Sequence, residues 1–169
     1  MNTNNRKFLV ADDIVATIPQ RFLNYIIDAI MQLILLMVLA MFSFIISDLI
    51  GSKSAINFFS KLDKNTIGLY TISFTLVLIY YNVFEILFAR TIGKFITQTI
   101  VVDEHGEKPH HETILIRSLC RLIPFNPFSV LILGRGWHDS ISKTYVVDKK
   151  LLDEKKRLFY ALEQNVNEA

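Results

Sequence analysis

Apolar positions fall in long unbroken blocks along this chain, where a soluble fold would show short periods. From Tyr25 to Ile46 about 22 residues are nearly all apolar. At roughly 1.5 Å per residue that is about 33 Å of helix, enough for a hydrocarbon core of about 30 Å, so a membrane-spanning helix is predicted over 22–46. A second block, Ile67 to Ala89, predicts another over 67–89. Between them, Asp48 to Asn65 reads as a polar loop with a short apolar cluster at Phe58 and Phe59. Residues 1–18 form a polar arm. Its one apolar patch, Phe8-Leu9-Val10, suits either packing, on lipid or on the rest of the protein, or a mobile terminus.

After Arg90 the pattern changes. Thr97 to Asp103 and Ser142 to Asp148 are β-branched runs, the first followed by turn chemistry around Gly106. Two short strands are expected to pair in a small cytoplasmic sheet, the alternative being two unrelated extended loops. Between them, residues 111–133 are apolar but interrupted by Arg117, Arg121, Pro124, Asn126 and Pro127. This fits an interfacial or re-entrant amphipathic helix, broken near Pro124, better than a third span. In residues 149–169 Leu151, Leu152, Leu158, Phe159 and Leu162 fall at helical spacing among charges, which predicts a cytoplasmic amphipathic tail. The fold class is an all-α membrane protein: a two-helix transmembrane hairpin, a broken third helix and a two-stranded cytoplasmic sheet. Residues 19–148 form its main domain.

Composition agrees, since 51% of the residues are hydrophobic. A net charge of +2 implies no nucleic-acid partner. The single cysteine, Cys120, excludes an intrachain disulfide and a cysteine-cluster metal site. The polar N-terminus, with Asp12 and Asp13, is unlike a cleaved secretory signal. Twelve of the 18 Lys and Arg lie from Arg90 onward, so the positive-inside rule puts both termini in the cytoplasm and the 48–65 loop outside.

The candidate site comes from polar residues inside the apolar blocks. At roughly 100° per residue, Arg21, Asn24, Asp28 and Gln32 share an arc of about 80° on the first helix. On the second, Tyr81, Asn82 and Glu85 share a face. In an antiparallel hairpin Asp28 and Glu85 lie roughly 10 Å and 8 Å below one membrane face, so the two acids are expected side by side. Such a pair either accepts a proton or is held by arginines, with Arg117 and Arg121 pointing toward it. Intramembrane acids mark functional sites by default, although the same residues would also pin helices together if each is paired.

Other chemistry is weaker. His105, His110, His111 and Glu112 cluster in sequence, but without helical metal-ligand spacing, and read as a surface loop. His138 beside Asp139 imitates an acid-base pair with no nucleophile in a recognisable setting; Ser118 and Cys120 read as packing. Gly134-Arg135-Gly136 lacks the context of a phosphate loop. No enzyme, metal or cofactor is expected.

The run Arg21-Phe22-Leu23-Asn24-Tyr25-Ile26-Ile27-Asp28, then Thr91-Ile92-Gly93-Lys94, Val101-Val102-Asp103-Glu104-His105-Gly106, Arg117 and Arg121, and Trp137-His138-Asp139 leading into the last β-branched run, resembles the RDD family of bacterial membrane proteins. The resemblance spans Ala16 to Asp148. It implies that Arg21 is the family arginine, Asp28 its first aspartate and Asp139 its second. Tyr80-Tyr81 with Glu85, and residues 117–125, resemble the Bacteroidetes-type version, which implies a multi-pass inner-membrane location. A transport role is what the resemblance suggests. Two readings are open: a transport-associated component for a cation, a proton or a small polar solute, or a membrane scaffold or regulatory subunit that docks a partner through residues 91–148 and the tail. Two spans cannot enclose a path, so transport requires a homo-oligomer or a membrane partner subunit in the bilayer.

Overall fold

The computed structural model describes residues 7–123, 129 and 134–168. Among these, two helices are long and apolar enough to cross a membrane: α1, Ile18–Leu49, and α3, Thr66–Phe88. The first begins on a capping box: the Thr17 hydroxyl accepts from Gln20 N–H while the Gln20 side chain accepts from Thr17 N–H, with Pro19 in the first turn. It extends past 22–46 at both ends. Most of its length presents Ile, Leu, Met and Phe outward, from Ile30 to Leu49, as a lipid-facing helix does.

The expected 48–65 loop is instead largely helical, α2, Ser54–Asp63. Ser47 explains where the chain turns: its hydroxyl bonds the Ser52 carbonyl and accepts from Ala55 N–H at 3.3 Å, and Phe44 stacks on Phe59 at 5.0 Å. α3 then returns, starting on an Asn65 cap that accepts from Gly68 N–H. It ends at Ala89, whose φ of 55° is left-handed.

At this end sits a compact module. The short α4, Ile92–Ile96, packs on the first turns of α1. Strand β1, Thr99–Val102, comes next; then α5, His111–Cys120; α6, Trp137–Ile141; strand β2, Tyr145–Asp148; and α7, Lys149–Glu168. The strands pair antiparallel, Thr99 with Asp148 through Val102 with Tyr145. Val15 bridges Val147, and Ala16 N–H donates to the Val146 carbonyl, so the N-terminal arm runs along β2. One face of the sheet builds the core: Val102 and Val147 with Ile14, Phe8 and Leu152, the last from α7. Phe8 therefore packs on the protein, edge-on to Phe159. The opposite face carries Thr99 and Val101 toward the membrane helices. Of the interfacial helix expected over 111–133, residues 111–120 are helical; the break expected at Pro124 and the remainder to 133, Ser129 apart, lie outside the described residues.

Candidate functional site

Asp28, in the third turn of α1, is 2% exposed and accepts three hydrogen bonds from neutral groups. They come from the Tyr80 hydroxyl at 2.8 Å, the Thr91 hydroxyl at 2.7 Å and Gly93 N–H at 2.8 Å. Gly93 lies in the first turn of α4, whose cap residue Thr91 turns its hydroxyl to Asp28 rather than to its own helix. Asp28 therefore caps α4 from another helix, meeting the otherwise unpaired Gly93 N–H at the positive end of its dipole. Only glycine fits at 93. A Cβ there would lie 2.5 Å from the Asn24 carbonyl oxygen.

Glu85, on α3, is fully buried among cations. Its Oε1 receives Lys94 Nζ at 2.5 Å and Arg121 Nη2 at 2.6 Å, while Arg117 Nε stands 3.8 Å from Oε2. Arg121 also lies 3.8 Å over the Tyr81 ring, a cation–π contact that fixes its plane. Burial draws the Lys94 ammonium down to about 8, against the pull of Glu85.

Asp139, in the first turn of α6, is the third buried acid and the second that arginines surround. Arg21 Nη1 reaches its Oδ2 at 2.7 Å and Arg117 Nη2 its Oδ1 at 2.6 Å. Arg21 also donates to the carbonyls of Ala16 and Val146, joining α1 to the sheet. Arg135 donates to the carbonyls of Asp139 and Thr144 and stacks on Tyr145 at 4.2 Å. Burial alone would raise the Asp139 carboxyl, but the charges of Arg117 and Arg21 outweigh it and hold the group well below the usual carboxylate range.

The predicted residues divide accordingly. Glu85, Arg117, Arg121, Asp139 and Arg21 form one chain of ion pairs, with Tyr81 beside it. Asn24 bonds Thr99 and Thr97 of the β1 end, and Asn82 donates to the Leu78 carbonyl of its own helix. Gln32 is half-buried and, among the described residues, joins none of these. The expected couple of Asp28 and Glu85 under shared arginines does not form. Asp28 is saturated by neutral donors, no arginine pairs with it among the described residues, and the acid that shares Arg117 with Glu85 is Asp139. Equal depth fixes height along the helices but not azimuth, and α4 occupies the space next to Asp28. The residues that sequence reasoning missed are Tyr80, Thr91, Gly93 and Lys94. Their signals were the Tyr80-Tyr81 pair ahead of Glu85 and the Thr-Ile-Gly-Lys run after the second span, neither of which showed what these residues touch.

The arginine and two aspartates singled out by resemblance thus occupy structural junctions, Arg21 with Asp139 and Asp28 with α4. A family model matches residues 15–142, and its description is the RDD family. The chain belongs to the RDD family. No curated protein and no solved structure was found to match. As an RDD protein, a membrane protein of poorly defined function, it places its charged centre where the two apolar helices meet the module. Among the described residues no group of three or more His, Cys, Asp or Glu is placed to hold a metal ion.

His138 makes this RDD centre acid-sensitive. Burial pushes its ring from 6.5 down to about 3, with Asp139 3.4 Å away pulling the other way and Arg117, Arg121 and Lys94 adding to the fall. The unfolded chain takes up the proton near 6.5 and the folded chain only near 3, so stability is lost as pH falls through that window. The expected loss is about 2 kcal/mol by pH 5. Denaturation followed by the single tryptophan, Trp137, measures it. His138→Gln should flatten the dependence between pH 6.5 and 5; identical slopes in variant and wild type would rule the histidine out.

Proposed function

We propose that this RDD protein is a small integral-membrane, transport-associated component that works within an assembly and handles a polar or anionic solute. The observation that carries this reading is the charge balance of the centre: among the described residues Arg21, Lys94, Arg117 and Arg121 contact two carboxylates, Glu85 and Asp139, an excess of two positive charges. A metal cation or a proton approaching either acid meets guanidinium or ammonium first, which disfavours the cation-exchange form of the reading. Intramembrane and membrane-border charges of this kind line solute paths more often than lipid-facing surfaces. The distribution of Lys and Arg supports an inner-membrane, two-pass arrangement with both termini cytoplasmic. Because two spans cannot enclose a path, the assembly supplies the remaining walls, as a homo-oligomer or with a partner subunit.

A second reading rests on a separate observation. The ion pairs around Glu85 and Asp139 join different elements, α1 to α6, α3 to α4 and α5, and α5 to α6, as a scaffold or regulatory subunit would need to hold a docking module rigid on its anchor. Liposomes containing the purified protein separate the two. Potential-driven anion efflux without sodium or proton flux is the expected result. Sodium or proton flux that disappears in Asp28→Asn would overturn it in favour of cation exchange. No flux of any ion, from the protein alone or reconstituted together with the membrane protein that co-purifies with it from native membrane, would leave the scaffold.

A further inference from the structure

We infer that the Arg117 guanidinium, flanked by Arg121 and Lys94 on one side and Arg21 and Arg135 on the other, is a binding site for an oxyanion of the phosphate class. Arg117 is fully buried, yet none of its side-chain nitrogens makes an aligned hydrogen bond among the described residues. Of its two ionic contacts, Asp139 Oδ1 at 2.6 Å is close but out of hydrogen-bond line and Glu85 Oε2 at 3.8 Å is beyond hydrogen-bond reach. Both of those oxygens are likewise without a hydrogen bond among the described residues. Its Nη1 and the buried Nε of Arg135 have no acceptor among the described residues. A guanidinium carries five N–H donors and cannot discard its proton, so this unmet capacity is fixed in place.

The charge excess points the same way. Taking ions out of water costs several kcal/mol each unless they are paired and hydrogen-bonded. Asp28, whose three donors are all neutral, keeps its negative charge, and Arg135 beside Asp139 adds a positive one, so five cations face three carboxylates and the excess is still two. The compensating negative charge therefore comes from outside the chain. A phosphate group carries up to about two charges, matching the excess of two, and its strong acceptor oxygens suit the idle Nη1 of Arg117 and Nε of Arg135. A halide would match the charge in part and the donor geometry not at all. One way in is past Arg121, whose side chain is 10% exposed where it lies over Tyr81. The same chemistry is offered by free inorganic phosphate and by the phosphomonoester headgroup of an anionic phospholipid at the membrane border. This deepens the proposed function by naming the group its site would take, and it rests on that reading for the solute but not for the transport.

The test uses the full-length protein, delipidated in detergent, with radiolabelled inorganic phosphate at equilibrium. Saturable binding at one site per chain is expected, weakened about tenfold or more in Arg121→Lys and in Arg117→Lys, because lysine keeps the charge and loses the fork. Arg121→Lys carries the test if Arg117→Lys does not fold, as judged by the Trp137 fluorescence transition. Native mass spectrometry after exposure to phosphatidic acid or phosphatidylcholine gives the second arm. One retained phosphatidic acid, lost in Arg121→Lys, with no binding of free phosphate, assigns the site to a lipid headgroup. Absence of both ligands from the wild type overturns the inference. Phosphate binding with no flux in liposomes, whether the protein is alone or reconstituted with its co-purifying membrane partner, leaves the site standing and removes the transport reading; anion flux with neither ligand bound removes the site alone.

Discussion

Glu85→Gln is expected to lower the thermal unfolding midpoint of the protein by roughly 10 °C, the largest effect of any single neutral substitution in the centre. Glutamine is nearly isosteric, so packing is spared and the change reports charge alone. It leaves Lys94 and Arg121, which sit 2.5 Å and 2.6 Å from the carboxylate, with no anion at that position, and removes the attraction that helps hold Arg117. Removing one member of a buried ion pair costs about 3–5 kcal/mol, most of it the penalty of stranding the partner. Lys94 is the partner best able to relieve that penalty by losing its proton, because burial has already brought it to about 8. Glu85→Gln combined with Lys94→Met should therefore recover part of the loss, a non-additivity read from the double-mutant cycle. A midpoint within about 2 °C of wild type for Glu85→Gln, a shift worth less than about 1 kcal/mol in a chain of this size, would mean that the network does not bear on stability.

Gly93→Ala tests the other junction, and by steric means. The new methyl would lie 2.5 Å from the Asn24 carbonyl oxygen, 3.1 Å from Asn24 Cα and 3.0 Å from Asp28 Oδ1. Two of these neighbours are backbone atoms of α1 and cannot swing aside as a side chain would. α4 has to withdraw, and with it go the Gly93 N–H bond to Asp28 and the alignment of Thr91. Overpacking costs about 1–3 kcal/mol, and an orphaned buried carboxylate adds a comparable amount. A destabilisation of about 3 kcal/mol or more is expected, measured by denaturant unfolding. Gly51→Ala is the control, with nothing within 4 Å of its Cβ, so that only its φ of 67° counts against it; that strain costs about 1–2 kcal/mol. If the two alanines cost the same, close approach at Gly93 is not the cause.

What could be read from the sequence was what repeats along it. The two apolar blocks announced α1 and α3 to within a few residues, and the β-branched runs announced β1 and β2, because both signals are summed over many positions. The seam of Arg21, Asn24 and Asp28 was visible for the same reason, helical spacing repeated over two turns. α2 carries a helical period, Ala55, Phe58, Phe59 and Leu62 at i, i+3, i+4 and i+7, but it lasts little more than two turns between Gly51 and Asn65, and the surrounding polar and charged residues give the stretch the texture of a loop. The partners of the acids were hidden for a different reason: Tyr80, Thr91, Gly93 and Lys94 are single residues whose meaning depends on where a five-residue helix lands against α1. Arg21 with Asp139, 118 positions apart, is beyond any local pattern. Resemblance to the RDD family marked both of them without indicating that they touch.

The two long helices make few direct contacts with each other along their apolar lengths, and are joined chiefly through the charged module at one end and α2 at the other. A bilayer thinner or thicker than their apolar lengths is expected to change their tilt, since little side-to-side packing resists it. That torque falls on Asp28 near the base of α1 and on Glu85 near the end of α3. A change in lipid thickness is therefore expected to reach the geometry around Arg117 through the ends of these helices.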